Sequence, residues 1–119
     1  MQRRRLRARN ATRGTILASE CRVADSFLSR GLGLIPRSSL RDGEGLLITR
    51  TSTITMFFMR FAIDAVFLTK DGHVTRIAPR LRPWSPVAGA RGAASVLELP
   101  PGTAARTATQ VGDDITLEA

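Results

Sequence analysis

From Ile54 to Leu68 the chain is apolar on both sides of an extended backbone, and that stretch limits the folds open to it. Ile54, Met56 and Phe58 fall on one side; Phe57, Met59 and Phe61 fall on the other. A strand with two apolar sides has to be packed between layers. The β-branched and aromatic content, with a turn after Lys70, favours strand over helix. The run exceeds an ordinary strand, so a bend is expected near Arg60-Phe61-Ala62. Met56, Phe57, Phe58, Met59 and Phe61 read as core rather than as the lining of an apolar ligand pocket.

The flanking sequence is cut into short strands. Asp71-Gly72 lies between Val66-Phe67-Leu68 and Val74-Thr75-Arg76-Ile77 and predicts a hairpin with positive φ at both central positions. Cys21 and Val23 alternate with Glu20 and Arg22, the period of a half-buried strand. Asp25 is placed to cap a short helix through Phe27 and Leu28. A strand is expected at Leu46-Leu47-Ile48, another over Ala94 to Leu99, and a last one over Ile115 to Leu117. Pro79, Pro83 and Pro86 mark a long loop that carries Trp84. After Pro100-Pro101-Gly102, Thr103 is placed to start one helical turn over Ala104-Ala105-Arg106. Several short strands with one or two short helices make a mostly β fold, a small β-sandwich or distorted barrel.

A chain of 119 residues suits one domain with one core. Its net charge of +8 is unevenly spread. Arg3, Arg4, Arg5, Arg7, Arg9 and Arg13 crowd the N-terminus with no acid among them; without them, 12 basic residues nearly balance 10 acidic ones. Residues 1–13 are therefore expected to be a disordered arginine-rich tail, with the β-rich domain spanning 14–119. Such a tail attracts nucleic acid through phosphate charge, but it carries no interleaved aromatic ring for base stacking. The short apolar stretch after it is too polar for a secretory signal, and no run has the length of a membrane helix. The lone Cys21 excludes an intrachain disulfide and fits a reducing, cytoplasmic setting. One Cys and one His are too few for an ordinary zinc site, and no metal or other cofactor is expected.

Among the chemistry-bearing residues Asp64 is the most informative. It sits between Ile63 and Ala65-Val66-Phe67, where an uncompensated charge is costly. It has to face solvent, hold a proton part of the time, find backbone amides or a guanidinium (Arg30 and Arg37 are candidates), or serve a ligand in a cleft. Arg60 lies on the same strand face but roughly 13 Å away along an extended chain. Glu98, which alternation places with Val96, is a second carboxylate; the two together would permit acid–base or metal chemistry if they met. Cys21 activated by His73 is a far weaker proposition, since Cys21 reads as a strand core residue. No Gly-x-Ser-x-Gly elbow or phosphate-binding glycine loop is present. Trp84, flanked by Arg80 and Arg82, reads either as a stacking surface for a ligand or as a lid folded onto the sheet.

Four segments carry a family resemblance: Arg30-Gly31-Leu32-Gly33-Leu34-Ile35-Pro36-Arg37; Phe58-Met59-Arg60-Phe61-Ala62-Ile63-Asp64 with the strand through Leu68; Val96-Leu97-Glu98-Leu99-Pro100-Pro101-Gly102-Thr103; and Val111-Gly112-Asp113. In this order they resemble the domain-of-unknown-function 192 family of bacteria and archaea, across roughly residues 20–118. The resemblance implies a compact, mostly β fold with a short helix and no established activity. The chain departs from the pattern at Thr55-Met56, where some relatives have His-Thr, at Pro36 in place of a glycine, and at Ala62 in place of a proline.

These readings lead to three functional expectations. The first is a non-catalytic binding or interaction module holding a small-molecule or peptide-like ligand around Arg30, Arg37, Arg60, Asp64, Trp84 and Glu98. The second is an enzyme built on Asp64 and Glu98, with or without a metal; it requires the two carboxyls to converge. The third is a weak nucleic-acid binder acting through the six tail arginines.

Overall fold

The structure, a computed structural model, describes residues 5–25 and 39–119. Within them the order is β1 (Arg5–Asn10), β2 (Thr15–Ala24), β3 (Glu44–Thr49), β4 (Thr53–Ile54), β5 (Ile63–Leu68), β6 (Val74–Leu81), β7 (Ala88–Gly89), β8 (Ser95–Leu99), α1 (Thr103–Arg106) and β9 (Ile115–Glu118). Seven strands form one sheet in the order β6-β5-β8-β3-β2-β1-β9, and β4 pairs with β7 in a small second sheet. All pairings are antiparallel except β2 with β3.

The large sheet curls into a half-barrel. Val74 N–H donates to the Asp113 carbonyl at 2.9 Å, and Ile115 N–H donates to the Gly72 carbonyl at 2.8 Å, so the end strands approach each other. The cluster of Ala8, Cys21, Leu47, Val66, Leu68, Val74, Leu97, Leu99 and Ile115 draws on every strand of the large sheet and fills the inside of the curl. The opposite face carries Ala24, Leu46, Ile48, Ile63, Ala65, Phe67, Ala78 and Val96, packed against Ile54 and Ala88 of the small sheet and against Met56 and Met59. Strand β5, buried along its whole length, therefore lies between two layers, as its doubly apolar sequence requires.

Several expectations change. The long strand from Ile54 exists only at its ends, as β4 and β5; between them the chain makes a turn that brings Phe57 and Phe58 to the surface. The Asp71-Gly72 hairpin is present, but only Gly72 takes positive φ (90°). Its backbone touches β9: a Cβ there would stand 2.5 Å from the Ile115 carbonyl oxygen. Pro79 lies inside β6 rather than in a loop. An edge strand tolerates it, because the missing N–H has no partner to lose. The short helix expected after Asp25 lies outside the described residues.

The disordered tail is corrected over residues 5–13. Strand β1 is inserted between β2 and β9, with Ala8 and Asn10 fully buried. The arginines of this segment do not simply repel one another: Arg5 pairs with Glu20 at 3.1 Å, Arg7 with Glu118 at 2.8 Å and Arg13 with Asp113 at 3.0 Å. Hydrogen bonds from Arg13 and then Asn10 hold the Asp113 carboxyl down at about 2.

Candidate ligand-binding surface

Asp64 and Glu98 sit on neighbouring strands, yet the register separates them. Asp64 is opposite Leu99, while Ala65 is opposite Glu98. Residues directly opposite share a face, so Asp64 points with Leu99 into the half-barrel and Glu98 points with Ala65 to the outer face. The paired-carboxylate site expected for an enzyme is not formed.

The Asp64 side chain is 0% exposed. A bulge explains what it meets. Ile63 pairs with Leu81 and Ala65 with Ala78, leaving Asp64 alone against both Pro79 and Arg80. Arg80 takes a left-handed conformation (φ 49°), and its backbone N–H donates to Asp64 Oδ1 at 2.9 Å. The N–H of Ala104, in the first turn of α1, donates to Oδ2 at 2.9 Å. Both oxygens are thus occupied by backbone donors, which ties β5 to β6 and to α1. A carboxylate held by amide donors in this way offsets much of its burial cost.

Glu98 is the contrary case. It is 5% exposed, lies in the row Leu46, Glu98, Ala65, and finds no hydrogen-bond donor among the described residues. Burial alone pushes its carboxyl up to about 7.

Beyond the outer face lie two tight turns that cross-brace each other. Met59 N–H donates to the Met56 carbonyl at 3.1 Å, closing one turn; Ser85 N–H donates to the Arg82 carbonyl at 3.2 Å, closing the other. Trp84 N–H donates to the Met56 carbonyl at 2.8 Å and Met56 N–H to the Ser85 carbonyl at 3.2 Å, locking turn to turn. In each turn the third residue has positive φ, 66° for Phe58 and 65° for Trp84. This is the type II position that glycine or asparagine ordinarily fills, and Pro83 occupies the position where proline favours that turn. Bulky side chains in this region cost about 1–2 kcal/mol each.

The strained residues stay more than half exposed all the same. Phe58 is 64% exposed and Trp84 57% exposed. Their rings stand 4.9 Å apart between centroids, tilted by 59°, with Phe57 6.2 Å from Trp84. Arg60 and Arg82, two residues from Phe58 and Trp84 along the chain, are exposed and have no acidic partner among the described residues.

Of the residues expected to make a site, Trp84 stands against the Phe58 ring, and Arg60 is exposed two residues along the chain from Phe58. Asp64 lies on the opposite side of the sheet from Glu98, and Arg30 and Arg37 lie outside the described residues. Trp84 is not a lid. Met56 and Met59 are core as expected, but Phe57 and Phe58 are not. Pro83-Trp84 was the available signal for one turn; nothing in the residue types marked Phe58 as a turn residue. Cys21 is buried, with its thiol pushed up to about 12 by desolvation, whereas His73 is exposed at the hairpin beside Asp114. Among the described residues no group of His, Cys, Asp and Glu could hold a metal ion. Among them, too, no helix is long and apolar enough to cross a membrane.

Residues 8–117 match the model of the domain-of-unknown-function 192 family, described as uncharacterized ACR. A UPF0127 protein of Pyrococcus furiosus is 34% identical over 107 residues, covering 87% of this chain and 91% of its own. A UPF0127 protein of Thermococcus sibiricus is 30% identical over 113 residues, covering 92% and 73% respectively. Two crystal structures share the fold at 26% identity: a protein of unknown function from Novosphingobium aromaticivorans (TM-score 0.84, 98% of this chain and 86% of that one) and a putative transcription regulator from Sinorhizobium meliloti (TM-score 0.83, 98% and 94%).

Proposed function

The chain belongs to the domain-of-unknown-function 192 family, and from that premise we propose that it is a non-catalytic binding module whose ligand docks on the rings of Phe57, Phe58 and Trp84. One observation carries this reading: two large aromatic residues occupy strained, glycine-type turn positions and yet face solvent. Backbone strain at side chains that stay more than half exposed points to use rather than to stability. The braces between the turns hold the rings in place before any ligand arrives, so little ordering entropy is lost on docking. Arg60, exposed two residues along the chain from Phe58, favours a ligand with negative charge. Asp64 serves the module indirectly, by fixing the bulge in β6. A cytoplasmic setting suits the unpaired thiol of Cys21.

Trp84 is the only tryptophan in the chain, so its emission reports the surface. Protein isolated natively from its own host should emit at shorter wavelength, or more weakly, than the same protein stripped by unfolding and refolded. Identical spectra before and after stripping would count against the reading.

A further inference from the structure

Resting on that reading, we infer that the ligand of the ring surface is single-stranded nucleic acid, its bases stacking on Phe58 and Trp84 and its phosphates meeting Arg60 and Arg82. Two independent features of the surface favour this. Exposed rings at fixed positions suit bases, because every base presents a flat π-face and stacking needs no particular sequence. The chain that carries the rings is also free of acids. No Asp or Glu occurs from Gly45 to Ile63 or from Gly72 to Leu97, whereas Arg60 and Arg82 lie within these stretches. A backbone of phosphates is attracted to stretches that carry arginines and supply no carboxylate of their own.

The N-terminal arginines make the contrast. Arg5, Arg7 and Arg13 are each engaged by a carboxylate of the domain itself, and no ring accompanies them. Arg60 and Arg82 have no such partner among the described residues. Nucleic-acid contact therefore moves from the terminus, where composition alone would place it, to the paired turns. Stacking also sets this site apart from a purely electrostatic one, which would bind any polyanion alike.

The test titrates the full chain with a short thymidine oligonucleotide and, separately, with an abasic oligonucleotide of equal length, reading Trp84 fluorescence. Phe58→Asn removes one ring while Asn still accepts the left-handed backbone, so the turn and the Trp84 reporter survive. The thymidine strand should quench Trp84 and bind roughly tenfold more tightly than the abasic strand, and Phe58→Asn should weaken it by roughly tenfold. Arg60→Gln should weaken both strands and lower the slope of log affinity against log salt by about 0.7. Equal binding of the two strands, indifference to Phe58→Asn, or no quenching at low salt would overturn the inference. If no strand binds but stripping still changes the Trp84 emission of host-purified protein, the binding module stands and its ligand is of another class.

Discussion

Asp64 and Glu98 lie on adjacent strands and face opposite ways, the first into the half-barrel with both oxygens bonded to backbone N–H groups, the second outward with no donor among the described residues. One sheet thus holds one buried carboxyl fastened by backbone N–H groups and one that is merely desolvated, and their substitutions should have different consequences.

For Asp64 the consequence is structural. Asp64→Asn keeps the volume but turns an N–H₂ toward one of the two backbone donors. An N–H left without an acceptor costs about 1–3 kcal/mol, more when a charged bond is lost. We expect a loss of about 3 kcal/mol in urea unfolding, a large share of an ordinary domain's stability. A loss below about 0.5 kcal/mol, the range of an unengaged surface position, would contradict the tie to Ala104 and Arg80.

For Glu98 it is a pH dependence. Below the ordinary carboxyl value of 4.5 the folded and unfolded chains both hold the proton. Between that value and about 7 the unfolded chain releases it while the folded chain keeps it, so stability falls as pH rises. The fall totals about 3 kcal/mol and is complete just above the folded value. Glu98→Gln cannot ionise; urea midpoints at pH 5 and pH 8 should differ for the wild type and converge for the variant, apart from other groups common to both.

Strand β1 makes the arginine-rich terminus indispensable. Deleting residues 1–13 removes the buried Ala8 and Asn10, leaves β2 unpaired on one side and takes from β9 its strand partner. Circular dichroism of the truncated chain should lack the cooperative thermal transition of the full chain. A cooperative transition within a few degrees of the wild type would return these residues to the status of a tail.

Phe58 should be nearly free of cost to remove. Truncating a core phenylalanine costs about 3–5 kcal/mol. Phe58→Gly instead relieves left-handed strain, and the loss of ring contact with Trp84 offsets that relief. We expect stability within about 1 kcal/mol of the wild type by urea unfolding. A penalty in the core range would make the ring structural.

The sequence revealed those parts of the fold that neighbouring residues determine. Asp71-Gly72 and the alternation through Val96, Leu97, Glu98 and Leu99 located a hairpin and a strand, because turn chemistry and the two-residue period act over a few positions. The order of β1 between β2 and β9 was not legible, since the acids that pair with Arg7 and Arg13 are Glu118 and Asp113 at the far end of the chain. Asp64 announced itself by its apolar neighbours, but its partners are backbone N–H groups, which no residue type marks. Whether it could meet Glu98 depended on the register between β5 and β8. The ring surface was half visible: Trp84 stood out among prolines, while Phe58 looked like strand because aromatic content signals strand wherever the backbone goes.

The sharpest trial of where the ligand sits is native mass spectrometry of wild type, Trp84→Gly and Asp64→Asn proteins purified from their own host. A bound mass should remain on the wild type and on whatever Asp64→Asn stays folded, and should be missing from a fully folded Trp84→Gly. A mass that survives Trp84→Gly undiminished but disappears from folded Asp64→Asn would contradict the ring surface and return the site to the carboxylate.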